Sequence, residues 1–271
     1  MNEQSTSAWQ SLLANLGPTE HAVQIYQDDN FFSHAVSHFT IHGLLKNESI
    51  IIVATKPHWQ NIAGRLQEKG FDVEELRRVG QLTLLDADET LPKFLVSDMP
   101  DGKTFKGIAR HTIEKARANG RYANVRWWGE MVNVLYVNGN GRGSTRLEEL
   151  FDEVAHEESI AIFCSFLMDK FDRKVYDGAL QNVCRTHAHL IPSENYSRHK
   201  ECVNRAVLEA FRGLEGQLLS WLGGSKHWSG PEMPASQALL LWLIEAKPQL
   251  ADKVLSLASH YENALKQTET V

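Results

Sequence analysis

The 271 residues carry 28 basic against 34 acidic side chains, a formal charge of −6, and 42% hydrophobic residues. That content supports a sizeable core and excludes a disordered chain, while the acidic balance and the lack of any Lys/Arg cluster speak against a nucleic-acid binder. Three scattered cysteines, Cys164, Cys184 and Cys202, exclude a disulfide framework, Met1 to Gly17 has no signal-peptide pattern, and the longest apolar run, Ala238 to Ile244, is too short to span a bilayer, so a reducing cytoplasm is the expected compartment.

Trp9, Leu12, Leu13 and Leu16 fall at helical spacing before Gly17-Pro18, predicting a short amphipathic helix whose packing target the sequence does not name. His21 to Tyr26 alternates and predicts a strand. Asx residues in Gln27-Asp28-Asp29-Asn30 then cap a helix with Phe32, Ala35, Val36 and Phe39 on one face, stopping around Gly43 to Asn47. Glu48 to Thr55 packs β-branched residues together, the pattern of a central strand covered on both faces. In α/β proteins the turn after such a strand is where glycines let backbone N–H groups wrap a phosphate. Here that turn, Thr55-Lys56-Pro57-His58-Trp59, has no glycine, and Pro57 removes a donor. The pattern points to a binding or sensing domain rather than an NTPase.

Pro57 opens a helix to about Lys69, with Ile62 and Leu66 inward and Gly70 as its stop. A short helix over Phe71 to Arg78 and a strand over Gln81 to Asp86 follow; the carboxyl end of that strand, Asp86-Ala87-Asp88, lies where open α/β sheets meet ligands. Helices are predicted over Thr90 to Met99 and Phe105 to Ala118, parted by the turn Pro100-Asp101-Gly102. Val125 to Met131 reads as a strand leading into a helix that ends at Asn138-Gly139-Asn140-Gly141. Thr145 to His156 is an amphipathic helix with Leu147, Leu150, Phe151 and Val154 buried, and Ser159 to Phe166 is an apolar strand. The alternation predicts an α/β three-layer sandwich with a mostly parallel central sheet. Arg173 to Asn182 is expected helical and Val183 to Pro192 extended. From Ser197 onward only helix patterns occur, over Cys202 to Leu222, Ala235 to Ala246 and Gln249 to Lys266. The expected division is an N-terminal helical segment over 1–20, an α/β domain over 21–196 and a helical subdomain over 197–271.

Read in order, His21-x-x-x-x-Tyr26, the Glu48 to Thr55 strand, Leu84-Leu85-Asp86, Gly129-Glu130-Met131 and Cys184-x-x-His187 resemble the MEDS domain, a sensory domain named for methanogen and methylotroph proteins and the DcmR-type regulator. The resemblance covers about His21 to Tyr196. It implies a RecA/KaiC-like fold without a working P-loop and a prokaryotic signal-transduction role, proposed for the family to be sensing of small hydrocarbon derivatives. Histidine kinases or transcriptional regulators are the implied partners, and His21 and Tyr26 are pocket residues only through the resemblance. Many members have Cys two residues after the first motif histidine; this chain has Val23. No kinase motif or helix-turn-helix is found in the tail.

Several groups carry chemistry. Cys184, His187 and His189 bring a thiol and two imidazoles close in sequence, but zinc wants four ligands, so His21 or Cys202 would have to converge on them; hydrogen-bonding histidines closing the sheet are the favoured alternative. His34, His38 and His42 form a helical stripe able to hold a divalent ion, with a solvated or subunit-facing polar surface favoured over it. Glu130, with Arg126, Trp127 and Trp128 beside it at the carboxyl edge, is either a ligand-binding or proton-transferring carboxylate or a charge at a helix start. Asp86 and Asp88 complete that rim or cap the next helix, and His58 and Trp59 line the missing phosphate loop's position or simply begin a helix. The tail's Leu218, Leu219, Trp221, Leu222, Leu239, Leu240, Trp242, Leu243, Leu255 and Leu257 exceed what one isolated helix hides; they pack as a subdomain or serve a homodimer or partner interface. The leading expectation is a non-catalytic small-molecule sensor without a firm cofactor. The alternatives are a metal-binding protein or enzyme using Glu130 with Cys184, His187 and His189, and a degenerate nucleotide-binding protein.

Overall fold

The computed structural model describes residues 8–169, 171–173, 175, 183, 187–191, 196–212 and 235–269. Two compact units divide the chain, Met1–Leu167 and Met168–Val271. In the first, α1 (Ala8–Asn15), β1 (His21–Tyr26), α2 (Asp29–Leu45), β2 (Ser49–Ala54), α3 (Lys56–Glu68), α4 (Val73–Arg78) and β3 (Leu82–Asp86) follow in order. After them come α5 (Ala87–Thr90), β4 (Leu95–Val96), β5 (Met99–Pro100), α6 (Gly102–Ala116), β6 (Val125–Gly129), α7 (Met131–Val137), α8 (Gly141–Glu158) and β7 (Ala161–Leu167). Its sheet runs β3-β2-β6-β7-β1, and every pairing is parallel. Helices cover the sheet, as expected of an α/β sandwich.

Local chemistry sets the element ends. Asp28 caps α2 by accepting the Phe31 N–H at 2.8 Å, and Asp101 caps α6 by accepting that of Thr104 at 2.8 Å. Gly70, at φ +84°, follows α3 in the left-handed conformation that ends helices. All six residues of β2 are buried, as its run of isoleucines requires of an inner strand.

The structure differs from the sequence expectation in three places. β1 is buried throughout rather than on alternate residues, because both its faces are covered; its one amide side chain, Gln24, donates to Phe31 O and accepts from Ser165 Oγ, each at 3.4 Å. Thr90 to Met99 is not one helix. A 3₁₀ turn over Leu91–Phe94 uses the i, i+3 spacing of its two buried apolar residues, and Ser97 and Asp98, at φ 48° and 63°, then turn a two-residue hairpin between β4 and β5. Among the described residues of the expected closing segment, Val183 is helical and His189–Ile191, strand β8, is extended. The predicted helix over Arg173 to Asn182 lies largely outside the described residues.

Strand alternation sorts the first unit's interior into two layers. On one side Arg126, Trp128, Phe163 and Ser165 meet α2 or one another: Phe32 lies 5.5 Å from Trp128, Phe39 5.4 Å from Phe163, and Trp128 Nε1 donates to Ser165 Oγ at 3.1 Å. On the other, Trp127 meets Phe151 of α8 edge-on at 5.8 Å. Buried Arg126 spreads beneath α1: its Nη1 donates to Leu13 O at 2.7 Å, its Nη2 to Ala14 O at 3.0 Å and its Nε to Glu48 Oε2, so it satisfies carbonyls at the C-terminal end of α1.

The second unit holds β8, α9 (Tyr196–Ala210), α10 (Ala235–Ala246) and α11 (Pro248–Glu269). α9 and α10 pack on α11, burying Val203, Val207, Leu239, Leu240, Leu243, Val254 and Leu255. Trp242 and Leu257 are half-buried, and Leu218, Leu219, Trp221 and Leu222 lie outside the described residues. Arg173 Nη1 donates to Asp252 Oδ1 at 2.6 Å, tying the start of this unit to α11. Among the described residues no helix is long and apolar enough to cross a membrane.

Candidate functional site

At the carboxyl ends of β1, β2 and β6, one carboxylate organises its surroundings. Glu130 ends β6 and opens α7, and it is 1% exposed. Its Oε1 accepts the backbone N–H of Thr55, the residue just before α3, and its Oε2 lies 2.5 Å from His58 Nδ1. The positive N-terminus of α3, which in a phosphate-binding scaffold would face an anion, therefore faces a carboxylate supplied by the chain itself. The hydrogen bond to Glu130 pushes the His58 pKa up, against the opposing effect of burial. That favours an imidazolium–carboxylate pair.

Aromatic residues wall this pair. Phe32 stacks on Tyr26 at 4.5 Å, lies 4.5 Å from His58 and touches Trp128. Burial, then the Glu130 and Asp29 charges, pushes the Tyr26 hydroxyl well above its ordinary range, so it stays protonated; it accepts from Asn133 Nδ2 at 3.4 Å. Asn133 Oδ1 accepts in turn from Leu167 N at 2.9 Å. His58 is the half-exposed member, and a polar cleft of about 460 Å³ between α2 and α3 opens among Asp29, Asn30, Ser33, Gln60, Asn61 and Arg65.

The structure thus brings together Tyr26, His58, Trp128 and Glu130 from the sequence-predicted set, and adds Phe32 and Asn133. Trp127 points to the opposite layer, because neighbours on a strand alternate. Trp59 is half-buried on α3. Asp86 caps α5, accepting the N–H groups of Asp88 and Glu89 at 2.8 and 3.1 Å, and Asp88 is exposed beside it. Asn133 had no sequence signal beyond being a polar residue inside an apolar helix.

A second cluster lies in the α8 layer, at the other end of β1. His21 is 1% exposed; its Nε2 lies 3.3 Å from Cys164 Sγ and 3.4 Å from Glu148 Oε2, and its Nδ1 3.9 Å from Asp152 Oδ1. Burial, then Glu148, pushes the Cys164 thiol up. His21 and Tyr26, paired by the resemblance, therefore belong to two different clusters. Sequence reasoning missed Cys164, which sits inside an apolar strand, and Glu148 and Asp152. Glu148 had a legible signal: it lies three residues before Phe151, on the edge of the helix's buried stripe.

Cys184 lies outside the described residues. His187 Nδ1 lies 2.7 Å from Val183 O, and His189 begins β8. His34, His38 and His42 do form a half-exposed stripe, and α1 packs on its His34 and His38 end. Trp9 meets His34 and His38 edge-on at 5.2 and 5.6 Å, and His38 Nε2 lies 2.9 Å from Gln10 O. That packing answers where α1 docks.

The family model of the methanogen/methylotroph, DcmR sensory domain matches residues 20–188. No curated protein matches the chain.

Proposed function

The chain belongs to the MEDS family of sensory domains, and from that premise we propose that it is a non-catalytic sensor which binds a small oxygen-bearing molecule beside Glu130 and His58 and relays occupancy to a regulatory partner in the cytoplasm. The observation that carries this reading is the Glu130 carboxylate, held between the Thr55 N–H and His58. With Nδ1 committed to Glu130, the imidazole's Nε2–H is the polar group left to an incoming alcohol, carbonyl or carboxylate, and the faces of Tyr26, Phe32 and Trp128 suit a short hydrocarbon portion.

Calorimetric titration of the full chain with short alcohols, aldehydes and carboxylates tests this. At least one class should bind, with affinity falling at least about tenfold in His58→Ala and Glu130→Gln, the scale of one charge-assisted hydrogen bond. Equal binding by both variants, or no heat from any class, would refute the reading.

A further inference from the structure

We propose that His21, Glu148 and Cys164 form a binding site for one divalent transition-metal ion of the zinc class. Three different donors, an imidazole nitrogen, a carboxylate oxygen and a sulfur, come from β1, α8 and β7 of one compact unit, and their ligand atoms lie within 4.8 Å of one another. Around a tetrahedral ion with bonds of about 2.0–2.3 Å, neighbouring ligand atoms sit about 3.3–3.6 Å apart. The observed separations from His21 Nε2, 3.3 Å to Cys164 Sγ and 3.4 Å to Glu148 Oε2, have that spacing.

Charge supports the same occupant. A doubly charged ion with one thiolate, one carboxylate and a neutral imidazole sums to zero, which suits a site whose members are at most 3% exposed. Binding releases the Cys164 S–H proton to solvent as the Sγ–metal bond forms. Asp152, one helical turn beyond Glu148, places its carboxylate near the other ring nitrogen of His21, the carboxylate–histidine arrangement that orients metal-bound imidazoles. Three protein ligands leave a fourth position of the ion for water or another donor. This set is distinct from the histidine stripe of α2.

The test uses untagged full-length chain, stripped by chelator and titrated with Co(II), followed by Zn(II). One equivalent of Co(II) is expected, with a near-ultraviolet thiolate-to-cobalt charge-transfer band that Zn(II) abolishes. Cys164→Ser should remove the band, Glu148→Gln should keep it while weakening binding at least about tenfold, and Cys184→Ser and His38→Ala should change neither. Absence of binding, or a band that survives Cys164→Ser and disappears in Cys184→Ser, overturns the proposal. If Cys164→Ser fails to fold by circular dichroism, Glu148→Gln decides, and unchanged Co(II) affinity in that variant overturns it.

Discussion

Arg126 shows how one residue type can carry two opposite readings. Beside two tryptophans and Glu130 in sequence, it suggests a ligand site; in the fold its guanidinium is committed to Glu48 and to the last carbonyls of α1, with its charge 5.0 Å over the Phe39 ring. Arg126→Ala leaves Glu48 and two carbonyls without this donor, and chemical denaturation should show a loss of about 3–5 kcal/mol. His38 gives a pH signature. Burial depresses its pKa from 6.5 to about 4, so its contribution to stability is complete above about pH 6.5 and is lost as pH falls toward 4. Urea midpoints should therefore fall more steeply between pH 7 and pH 4 in the native chain than in His38→Gln, by on the order of 2 kcal/mol after allowance for the ring's partial exposure.

At the scale of elements, strands and long helices were legible because their signals are local. The isoleucine run of β2, the Asp28 cap of α2 and Gly70 after α3 each act within a few residues. The Leu91 to Pro100 segment misled because an i, i+3 pair is shared by a helix and a single 3₁₀ turn, and the Ser97-Asp98 hairpin lacks the glycine that usually announces one. Side-chain partners between elements were not legible at all: nothing near Cys164 in sequence names Glu148, and nothing near Glu130 names Thr55. One close approach makes a further prediction. A Cβ on Gly43 would stand 2.5 Å from Ile50 Cδ1 and 2.7 Å from Arg126 Cδ, so Gly43→Ala should push α2 off β2 and β6. The expected cost is about 1–3 kcal/mol, read as a lowered melting temperature.

For the whole molecule, a parallel sheet with helices over it was predictable from the alternation of strand and helix patterns, and the family model confirms the sensory-domain resemblance over 20–188. What the sequence could state only as a missing motif, the fold expresses as a contact: the turn after β2 has no glycine cradle, and Glu130 accepts the Thr55 N–H at the start of α3. Titration with Mg-ATP should accordingly give no heat and no shift in melting temperature; micromolar binding would overturn this view of the turn.

The Glu130–Thr55 hydrogen bond also bears on selectivity. Under the proposed function, sulfate, inorganic phosphate or a nucleotide approaching this helix start would have to displace a carboxylate already tethered there. For the sensor proposed above, such a helix start would turn away inorganic phosphate and sulfate and leave recognition to the exposed side of His58.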